Sequence, residues 1–315
     1  MTKPVLLIAQ AILAPLMGRL EGDYELLRLW DYPDRRILLA GDGQRVQAIV
    51  AAGEGLLEPS LLAGLPNLKL IACVSAGYDG IDVPWCSTRG IAVTHSPGVN
   101  ADDVADHAVG AAIAAWRGIV DGDRRVREGR WTDTDRGPMR RALKGRGVGV
   151  VGLGAIGEAI ATRMAAFGCR IAWWGPNAKP TVPWPRIDSL VGLAEASDLL
   201  FIAARADEAS RGLIDRSVID AVGRQGLICN VSRGFVIDQQ DLIAALKEGR
   251  LGHAALDVFD PEPTPAEIWR AVPNVVLTPH TAGATLDSVQ AMVALTVENL
   301  RRHFAGEALK TPIRA

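Results

Sequence analysis

The stretch Val148–Ala161 reads VGVVGLGAIGEAIA, and it decides the fold class of this chain. An apolar run of strand length ends in Gly152-x-Gly154-x-x-Gly157, and a helix-forming run follows at once. In such a fingerprint the first glycine permits a tight turn, the second lets a pyrophosphate approach the backbone, and the third lets the helix pack closely on the strand. The new helix presents free N–H groups and a positive dipole end to the phosphates. The stretch therefore predicts a dinucleotide-binding unit.

Apolar runs of strand length alternate with helical patterns along the whole chain. Short, continuous apolar strands separated by helices indicate parallel sheets that are covered on both faces. The fold class is therefore predicted as α/β. We expect strands at Val5–Ala9, Ala48–Ala51, Leu68–Val74, Ile91–Thr94, Val148–Val151, Arg170–Trp174, Leu199–Ala203, Gly226–Val231, Ala254–Val258 and Asn274–Thr278.

The position of the fingerprint predicts two domains, because the strand-like runs that precede it suffice for a separate α/β unit. We expect two doubly wound parallel-sheet domains, with a nucleotide domain over 99–284 inserted into a substrate domain made of 1–98 and 285–315. Long helices are expected over Ala101–Arg127 and Leu286–Ala305. A cleft between two domains is where cofactor and substrate would meet. One continuous domain is the alternative that the length of the chain allows.

The composition and net charge of the chain argue against some classes of binding partner. The chain has 315 residues and a net charge of −2, and its pI is near 6.2, so there is no electrostatic case for nucleic acid or an anionic membrane. The first apolar run is too short to span a membrane, and no convincing signal-peptide cleavage region follows it. The four cysteines, Cys73, Cys86, Cys169 and Cys229, show no metal-ligand spacing. We expect free thiols, no metal site and a cytoplasmic protein.

Three segments beyond the fingerprint carry candidate chemistry, and each ends an apolar strand, where doubly wound sheets form their ligand sites. Arg233 offers a planar fork of donors for a carboxylate and its neighbouring carbonyl oxygen. His280 suits proton exchange near neutral pH, and Glu262 would favour its imidazolium form by hydrogen-bonding the other ring nitrogen. Together they can hold a 2-keto acid and protonate its developing alkoxide, with the hydride coming from a nicotinamide cofactor.

Each of these residues also has a purely structural interpretation. Arg233 could close a helix or pair with Asp238, Glu262 could be a solvated loop carboxylate, and His280 could be a core histidine with satisfied hydrogen bonds. Their joint occurrence at three strand ends after a nucleotide fingerprint favours the catalytic interpretation.

At these residues the sequence resembles the D-isomer-specific 2-hydroxyacid dehydrogenase family, and in particular its glyoxylate/hydroxypyruvate reductase-like members. The match covers nearly the whole chain and includes VSAGYD at 74–79, THSPGV at 94–99, the glycine fingerprint and the three segments. The resemblance implies Rossmann-like and flavodoxin-like domains, and a homodimer formed through the nucleotide domains. It also implies an arm before the fingerprint, around Trp131 and 136–146, that can reach the partner subunit.

The resemblance gives Arg233, Glu262 and His280 the catalytic places. Ala76 and Gly77 match the loop whose N–H groups hold the substrate carboxylate, and Asp257 matches the carboxylate that faces the nicotinamide carboxamide. Fingerprint and resemblance together predict these cofactor-binding residues: Ser96, Gly152, Gly154, Ala155, Ile156, Gly157, Gly175, Asn177, Lys179, Ala204, Arg205, Val231, Ser232, Arg233, Asp257, His280 and Gly283.

The second strand of the nucleotide domain departs from the NAD-dependent pattern. An acidic residue is expected about 20 residues after the fingerprint for the ribose hydroxyls, but Gly175 stands there. Without that carboxylate a 2′-phosphate meets no repulsion, which favours NADP, and Asn177 and Lys179 could donate to it. NADP-preferring relatives commonly carry Arg where Pro176 stands, and Arg205 could supply the missing charge or simply be solvated. A relaxed enzyme that also accepts NAD is the alternative.

The sequence therefore predicts NADPH-preferring reduction of small 2-keto acids, such as glyoxylate and hydroxypyruvate, to D-2-hydroxy acids. A 3-phosphoglycerate dehydrogenase or another D-2-hydroxyacid dehydrogenase is the alternative enzyme. A non-catalytic, dinucleotide-sensing protein like the family's corepressors is the alternative from another class.

Overall fold

Two parallel sheets organise the chain in the computed structural model, which describes residues 3–314. One compact unit comprises the residues up to Val99 and those from Leu286 onward, and the other is Asn100–Thr285. Each unit contains one sheet, and every strand pair in both sheets is parallel. The predicted α/β class with two parallel-sheet domains is confirmed.

The sheet of the first unit has the strand order β2-β1-β3-β4-β5, which is the flavodoxin-like arrangement. The strand Glu25–Arg28 was not predicted. It lies at the edge of the sheet and places two leucines between charged residues, so it lacks the continuous apolar run of a central strand. The strands are β1 Val5–Ile8, β2 Glu25–Arg28, β3 Val46–Ala51, β4 Leu70–Cys73 and β5 Ala92–Thr94.

The sheet of the second unit has the order β11-β10-β9-β8-β6-β7. The strand that carries the fingerprint, β6, therefore has its sequence neighbour β7 on one side and β8 on the other. Such a reversal of strand order is the topological switch point where doubly wound sheets bind nucleotides. The strands are β6 Gly147–Val151, β7 Arg170–Trp174, β8 Leu199–Ile202, β9 Leu227–Asn230, β10 His253–Leu256 and β11 Val275–Leu277.

Helices cover both sheets. They are α1 Arg35–Ala40, α2 Pro59–Ala63, α3 Val83–Ser87, α4 Ala101–Arg117, α5 Ile119–Arg127, α6 Ala155–Ala166, α7 Leu190–Glu195, α8 Arg216–Val222, α9 Gln239–Glu248, α10 Ala266–Trp269 and α11 Leu286–Phe304. Short 3-10 turns lie at Ala11–Arg19, Leu29–Asp31, Asp42–Arg45, Glu208–Ser210 and Gly234–Val236. Within residues 3–314, no helix combines the length and the apolar character that crossing a bilayer requires.

The prediction of one helix over Ala101–Arg127 is wrong. Gly118 adopts a left-handed conformation, with φ 64° and ψ 35°, and its N–H caps α4 by bonding the carbonyls of Ala114 and Ala115. Glycine reaches this conformation without a Cβ clash, which makes it a common helix terminator. The chain turns there and continues as the separate helix α5.

The core of the second unit lies on both faces of its sheet. Val148 and Val150 of β6 pack with buried alanines of α4, including Ala105 and Ala108. Val151, between them and the fingerprint, belongs to the cluster on the other face, under α8 and α9. This alternation fixes the direction in which β6 enters the glycine turn.

We predict that Gly157→Ala destabilises the protein. A Cβ at Gly157 would lie 2.1 Å from the carbonyl oxygen of Gly152, which is backbone and cannot rotate away. Overpacking of this kind costs about 1–3 kcal/mol, so calorimetry should show a lower Tm. Gly110→Ala, on an open face of α4 with no atom within 4 Å of the new Cβ, is the control. An equal or higher Tm for Gly157→Ala would contradict the close packing.

Candidate active site

The fingerprint turn has the geometry that a dinucleotide requires. Gly152 has φ 86°, and its N–H donates to the carbonyl of Trp174 over 2.8 Å. A Cβ on Gly152 would lie 2.5 Å from the Cα of Ala204, whereas a Cβ on Gly154 would meet nothing within 4 Å. Gly154 is the N-cap of α6 and supplies no capping side chain. Open space therefore faces the first-turn N–H groups of α6, from Ala155 onward, and a pyrophosphate fits this cradle.

The end of β7 carries the residues predicted to distinguish the two cofactors. Gly175 is buried, Asn177 is exposed, and Lys179 is half-buried, with its Nζ 4.0 Å from Glu158 Oε2. Arg186, which was not predicted, donates from Nε and Nη2 to the carbonyl of Gly175 over 3.0 and 2.8 Å. A cation thus contacts the backbone of the residue at which NAD-dependent enzymes carry an acid.

The turn after β8 carries the other predicted cation. The side chain of Arg205 is 75% exposed, and its Nε lies 4.0 Å from Asp207 Oδ2. This guanidinium therefore contacts both solvent and a carboxylate, which makes it a weaker candidate for binding a phosphate.

Arg233 follows β9 in a turn that the buried side chain of Asn230 closes. Asn230 Oδ1 accepts from the Ser232 N–H over 3.0 Å, and its Nδ2 donates to the Arg233 carbonyl over 2.9 Å. Ser232 Oγ donates to the carbonyl of Ala204 over 2.6 Å. The Val231 N–H donates to the carbonyl of Ile202, the last residue of β8, over 3.3 Å. The backbone that carries Arg233 is therefore fixed by two neighbouring strand ends.

The next strand end touches this turn directly. A Cβ on Gly234 would lie 1.9 Å from the carbonyl carbon of Phe259, so the Arg233 turn packs against the backbone that leads to Glu262. This close approach brings the charge of Arg233 to bear on Glu262, where it acts to lower the carboxyl pKa.

Glu262 and His280 form a hydrogen-bonded pair. Glu262 Oε2 lies 2.7 Å from His280 Nδ1, and Oε1 accepts from the Phe259 N–H over 2.8 Å. Burial acts to raise the pKa of Glu262, but these two hydrogen bonds and the nearby positive charges outweigh it, and the pKa lies below its ordinary value. Because the ionised carboxylate can only accept, Nδ1 carries the proton of the bond. The ring is thereby oriented with Nε2 as the nitrogen available for proton exchange.

Asp257 holds the loop on which His280 lies. It is 3% exposed, and Oδ1 accepts from Thr278 Oγ1 over 2.6 Å and from the Thr281 N–H over 3.0 Å. Oδ2 accepts from the Ala282 N–H over 2.9 Å, and the His280 N–H donates to the Asp257 carbonyl over 2.8 Å. Asp257, predicted as a cofactor contact, therefore also positions the backbone around His280.

The same network includes a residue of α4. His107 Nε2 lies 2.9 Å from Thr278 Oγ1. Since Thr278 uses its hydroxyl proton toward Asp257, the threonine oxygen accepts from His107, whose proton then resides on Nε2. At the end of the same loop, Gly283 lies against Asn100, because a Cβ there would be 2.2 Å from Asn100 Nδ2.

The loop after β4, in the first unit, carries the residues that were predicted to hold the substrate carboxylate. Its carbonyls are engaged: His95 Nδ1 lies 2.9 Å from the Ala76 carbonyl oxygen, and Ser75 Oγ donates to that of Gly77 over 2.9 Å. Among the described residues, the N–H groups of Ala76 and Gly77 have no acceptor. The hydroxyl oxygen of Ser96 is buried and likewise lacks a hydrogen-bond partner in the part of the chain that the structure describes.

The structure thus gathers Arg233, Glu262 and His280 at adjoining strand ends of one unit. Reasoning from sequence gave no role to Asn230, Thr278, His107 or Arg186. The Asn230–Arg233 turn has a recognisable signal, because asparagine side chains often close turns onto backbone two or three residues on. His107 and Thr278 are 171 residues apart, and nothing local links them.

Known proteins are similar to this chain over nearly its full length. Residues 109–282, more than half of the chain, match the model of the D-isomer specific 2-hydroxyacid dehydrogenase NAD-binding domain. A glyoxylate/hydroxypyruvate reductase A of Arabidopsis thaliana is 40% identical over 298 residues, covering 95% of each chain.

Two solved structures are similar throughout. A 2-hydroxyacid dehydrogenase from Ketogulonicigenium vulgare Y25 is 40% identical with a TM-score of 0.93, covering 100% of this chain and 99% of that one. An NADPH-dependent glyoxylate/hydroxypyruvate reductase from Sinorhizobium meliloti, solved with NADP and malonate, is 34% identical with a TM-score of 0.92, covering 99% and 97%. From these similarities in sequence and in backbone, the chain belongs to the D-isomer-specific 2-hydroxyacid dehydrogenase family.

Proposed function

We propose that the protein is an NADPH-preferring reductase of small 2-keto acids, with glyoxylate and hydroxypyruvate as substrates and D-2-hydroxy acids as products. The hydrogen bond between Glu262 and His280 Nδ1 carries the proposal, because it leaves one imidazole nitrogen oriented for proton donation. The glyoxylate/hydroxypyruvate reductases among the relatives support this substrate class.

The proposed reaction needs a proton donor and an anion site. His280 donates the proton from Nε2 to the developing alkoxide, and the ionised Glu262 stabilises the imidazolium before transfer. Arg233 binds the carboxylate and polarises the adjacent carbonyl through its fork of donors. The N–H groups of Ala76 and Gly77 are proposed as further carboxylate donors. A bound reduced nicotinamide supplies the hydride.

The cofactor preference follows from the end of β7. Gly175 presents no carboxylate to a 2′-phosphate, and no acidic residue occurs between Glu158 and Asp188. A phosphate is therefore not repelled there, while Asn177 and Lys179 lie in the adjoining loop as possible donors. The NADPH-dependent relative from Sinorhizobium meliloti supports this preference. Use of NAD remains the alternative for this site.

We also propose a homodimer formed through the second unit. Large apolar side chains stand exposed on α5 and on the segment that follows it: Ile119, Val120, Val126, Trp131 and Met139. Exposed apolar side chains that recur along one segment favour a surface that a partner covers. Sedimentation equilibrium measures the mass directly, and a monomer at micromolar concentration would contradict the dimer.

The cytoplasmic location stays a prediction. It rests on the free thiols, three of which are buried. Burial raises the pKa of Cys73 to about 11 and also the pKa of Cys229, so both thiols are protonated and unreactive near neutral pH.

We predict that the purified protein oxidises NADPH with glyoxylate or hydroxypyruvate, and that His280→Asn lowers kcat by roughly 10²–10⁴-fold because proton donation is lost. The panel should include hydroxyphenylpyruvate and 2-ketogluconate, the substrates that name two other relatives. Titration of cofactor fluorescence should show nearly unchanged NADPH binding in the variant. Background turnover with every keto acid would favour a dinucleotide sensor, and normal turnover of His280→Asn would remove the proposed donor.

We predict that Glu262→Gln shifts the alkaline limb of the pH profile of reduction to lower pH. The pKa of Glu262 is below its ordinary value, so the carboxylate is charged throughout the neutral range and is neutralised only as pH falls through that lowered pKa. Glutamine removes the charge that favours the imidazolium, and the limb should move by about one unit or more. The profile of kcat/KM measures it. Glu267→Gln makes the same change from carboxylate to carboxamide at an exposed position on α10 and is the control. An alkaline limb that stays at the same pH in Glu262→Gln would contradict the pairing of Glu262 with His280.

A further inference from the structure

The end of β7 presents a cation that the sequence did not reveal. NADP recognition needs a positive group near the strand end at Gly175, but the next residue is Pro176. The guanidinium that contacts the Gly175 carbonyl belongs to Arg186, eleven residues farther along the chain.

Backbone pairing brings Arg186 to this place. The Trp173 N–H donates to the Pro185 carbonyl over 3.1 Å, and the Ile187 N–H donates to the Trp173 carbonyl over 2.8 Å. These bonds form a single parallel bridge between Trp173 and Arg186, which adds one residue of strand beyond the edge of the sheet. The backbone hydrogen bonds to Trp173 therefore fix the position of Arg186.

The guanidinium itself is oriented. Nε and Nη2 both donate to the Gly175 carbonyl, over 3.0 and 2.8 Å, and the central carbon lies 6.0 Å from the centroid of the Trp173 ring. The remaining terminal nitrogen, Nη1, lies 3.8 Å from Oδ1 of Asp188, a carboxylate with a fully exposed side chain. A third of the Arg186 side chain (33%) is exposed, so an incoming anion has access to it.

This position adjoins the phosphate cradle. The Gly152 N–H of the fingerprint donates to the carbonyl of Trp174, the residue before Gly175. In this fold the ribose next to the adenine lies at the end of the second strand. A guanidinium on the Gly175 carbonyl thus contacts the backbone of the residue at which an acidic side chain would otherwise bind the ribose hydroxyls.

We propose that Arg186 recognises the 2′-phosphate of NADPH, and this inference rests on the proposed NADPH preference. Two nitrogens stay on the Gly175 carbonyl and fix the plane of the group, while Nη1 exchanges the carboxylate of the exposed Asp188 for a phosphate oxygen. Charge-assisted bonds of this kind are short and strong. Asp188 is a competing anion for the same nitrogen.

The other candidate cations are less well placed. Lys179 Nζ lies 4.0 Å from Glu158 Oε2, and the side chain of Arg205 is 75% exposed with Asp207 4.0 Å away. Arg186, by contrast, donates two hydrogen bonds to the end of β7. Arg186 is therefore expected to contribute most to discrimination between the two cofactors.

The test is calorimetric titration of the purified protein with 2′,5′-ADP and with 5′-AMP, which differ in the 2′-phosphate alone. For Arg186→Gln the Kd of 2′,5′-ADP should rise by roughly 10- to 100-fold while that of 5′-AMP stays nearly constant. Arg186→Lys, which keeps the charge but loses the planar fork, should lie in between. Asp188→Asn should tighten 2′,5′-ADP binding because the competing carboxylate is gone.

Arg224→Gln is the matched control, since it removes the same charge from an exposed position just before β9, at the amino-terminal end of that strand. An equal weakening of both nucleotides by Arg186→Gln, with a lower Tm, would show a purely structural role and overturn the inference. A wild-type preference for 2′,5′-ADP that survives in Arg186→Gln would overturn the inference and leave the proposed NADPH preference standing. Equal affinities in the wild type would overturn both.

Discussion

The carboxylate of Asp257, buried where β10 ends, is the fixed point of the candidate active site. It accepts the Thr278 hydroxyl and the N–H groups of Thr281 and Ala282, while its own carbonyl accepts the His280 N–H. His280 has φ 53°, a region that costs a non-glycine residue about 1–3 kcal/mol and persists only where the surroundings hold the residue there. The hydrogen bonds to Asp257 hold the His280 backbone in this conformation. The loop thus sets the direction of the imidazole, and the bond to Glu262 then fixes the orientation of the ring.

The chemistry then follows from how parallel strands end. Strands β9 and β10 are neighbours, so the turns after them meet at one edge of the sheet, and the Arg233 turn packs on the backbone that leads to Glu262. Three charged or ionisable groups can converge there without a buried, unpaired charge, because each carboxylate oxygen of Glu262 has a donor. The same edge carries the glycine turn of β6. One structural rule thus supplies both the cofactor cradle and the proton donor.

Sequence alone predicted much of this, because the informative residues lie in short motifs at the ends of apolar runs. Gly152, Arg233 and His280 can each be placed on a strand end without knowing which strands are neighbours. The edge strand β2 was missed since it is not continuously apolar, and the helix break at Gly118 was missed because the pattern on either side stays helical. The contacts of His107 with Thr278 and of Arg186 with Gly175 depend on tertiary packing, which no local pattern encodes.

The most direct test of this account is the proton NMR signal of the His280 Nδ1 proton, which is donated to Glu262 across 2.7 Å and is assigned by its loss in His280→Asn. Such a strongly hydrogen-bonded imidazole proton resonates far downfield. In Asp257→Asn the amide must present a donor where the loop already offers donors, so we expect the loop to move and the resonance to vanish or shift while circular dichroism stays unchanged. The same resonance at the same position in Asp257→Asn would contradict the account, because His280 would then be oriented without the buried carboxylate.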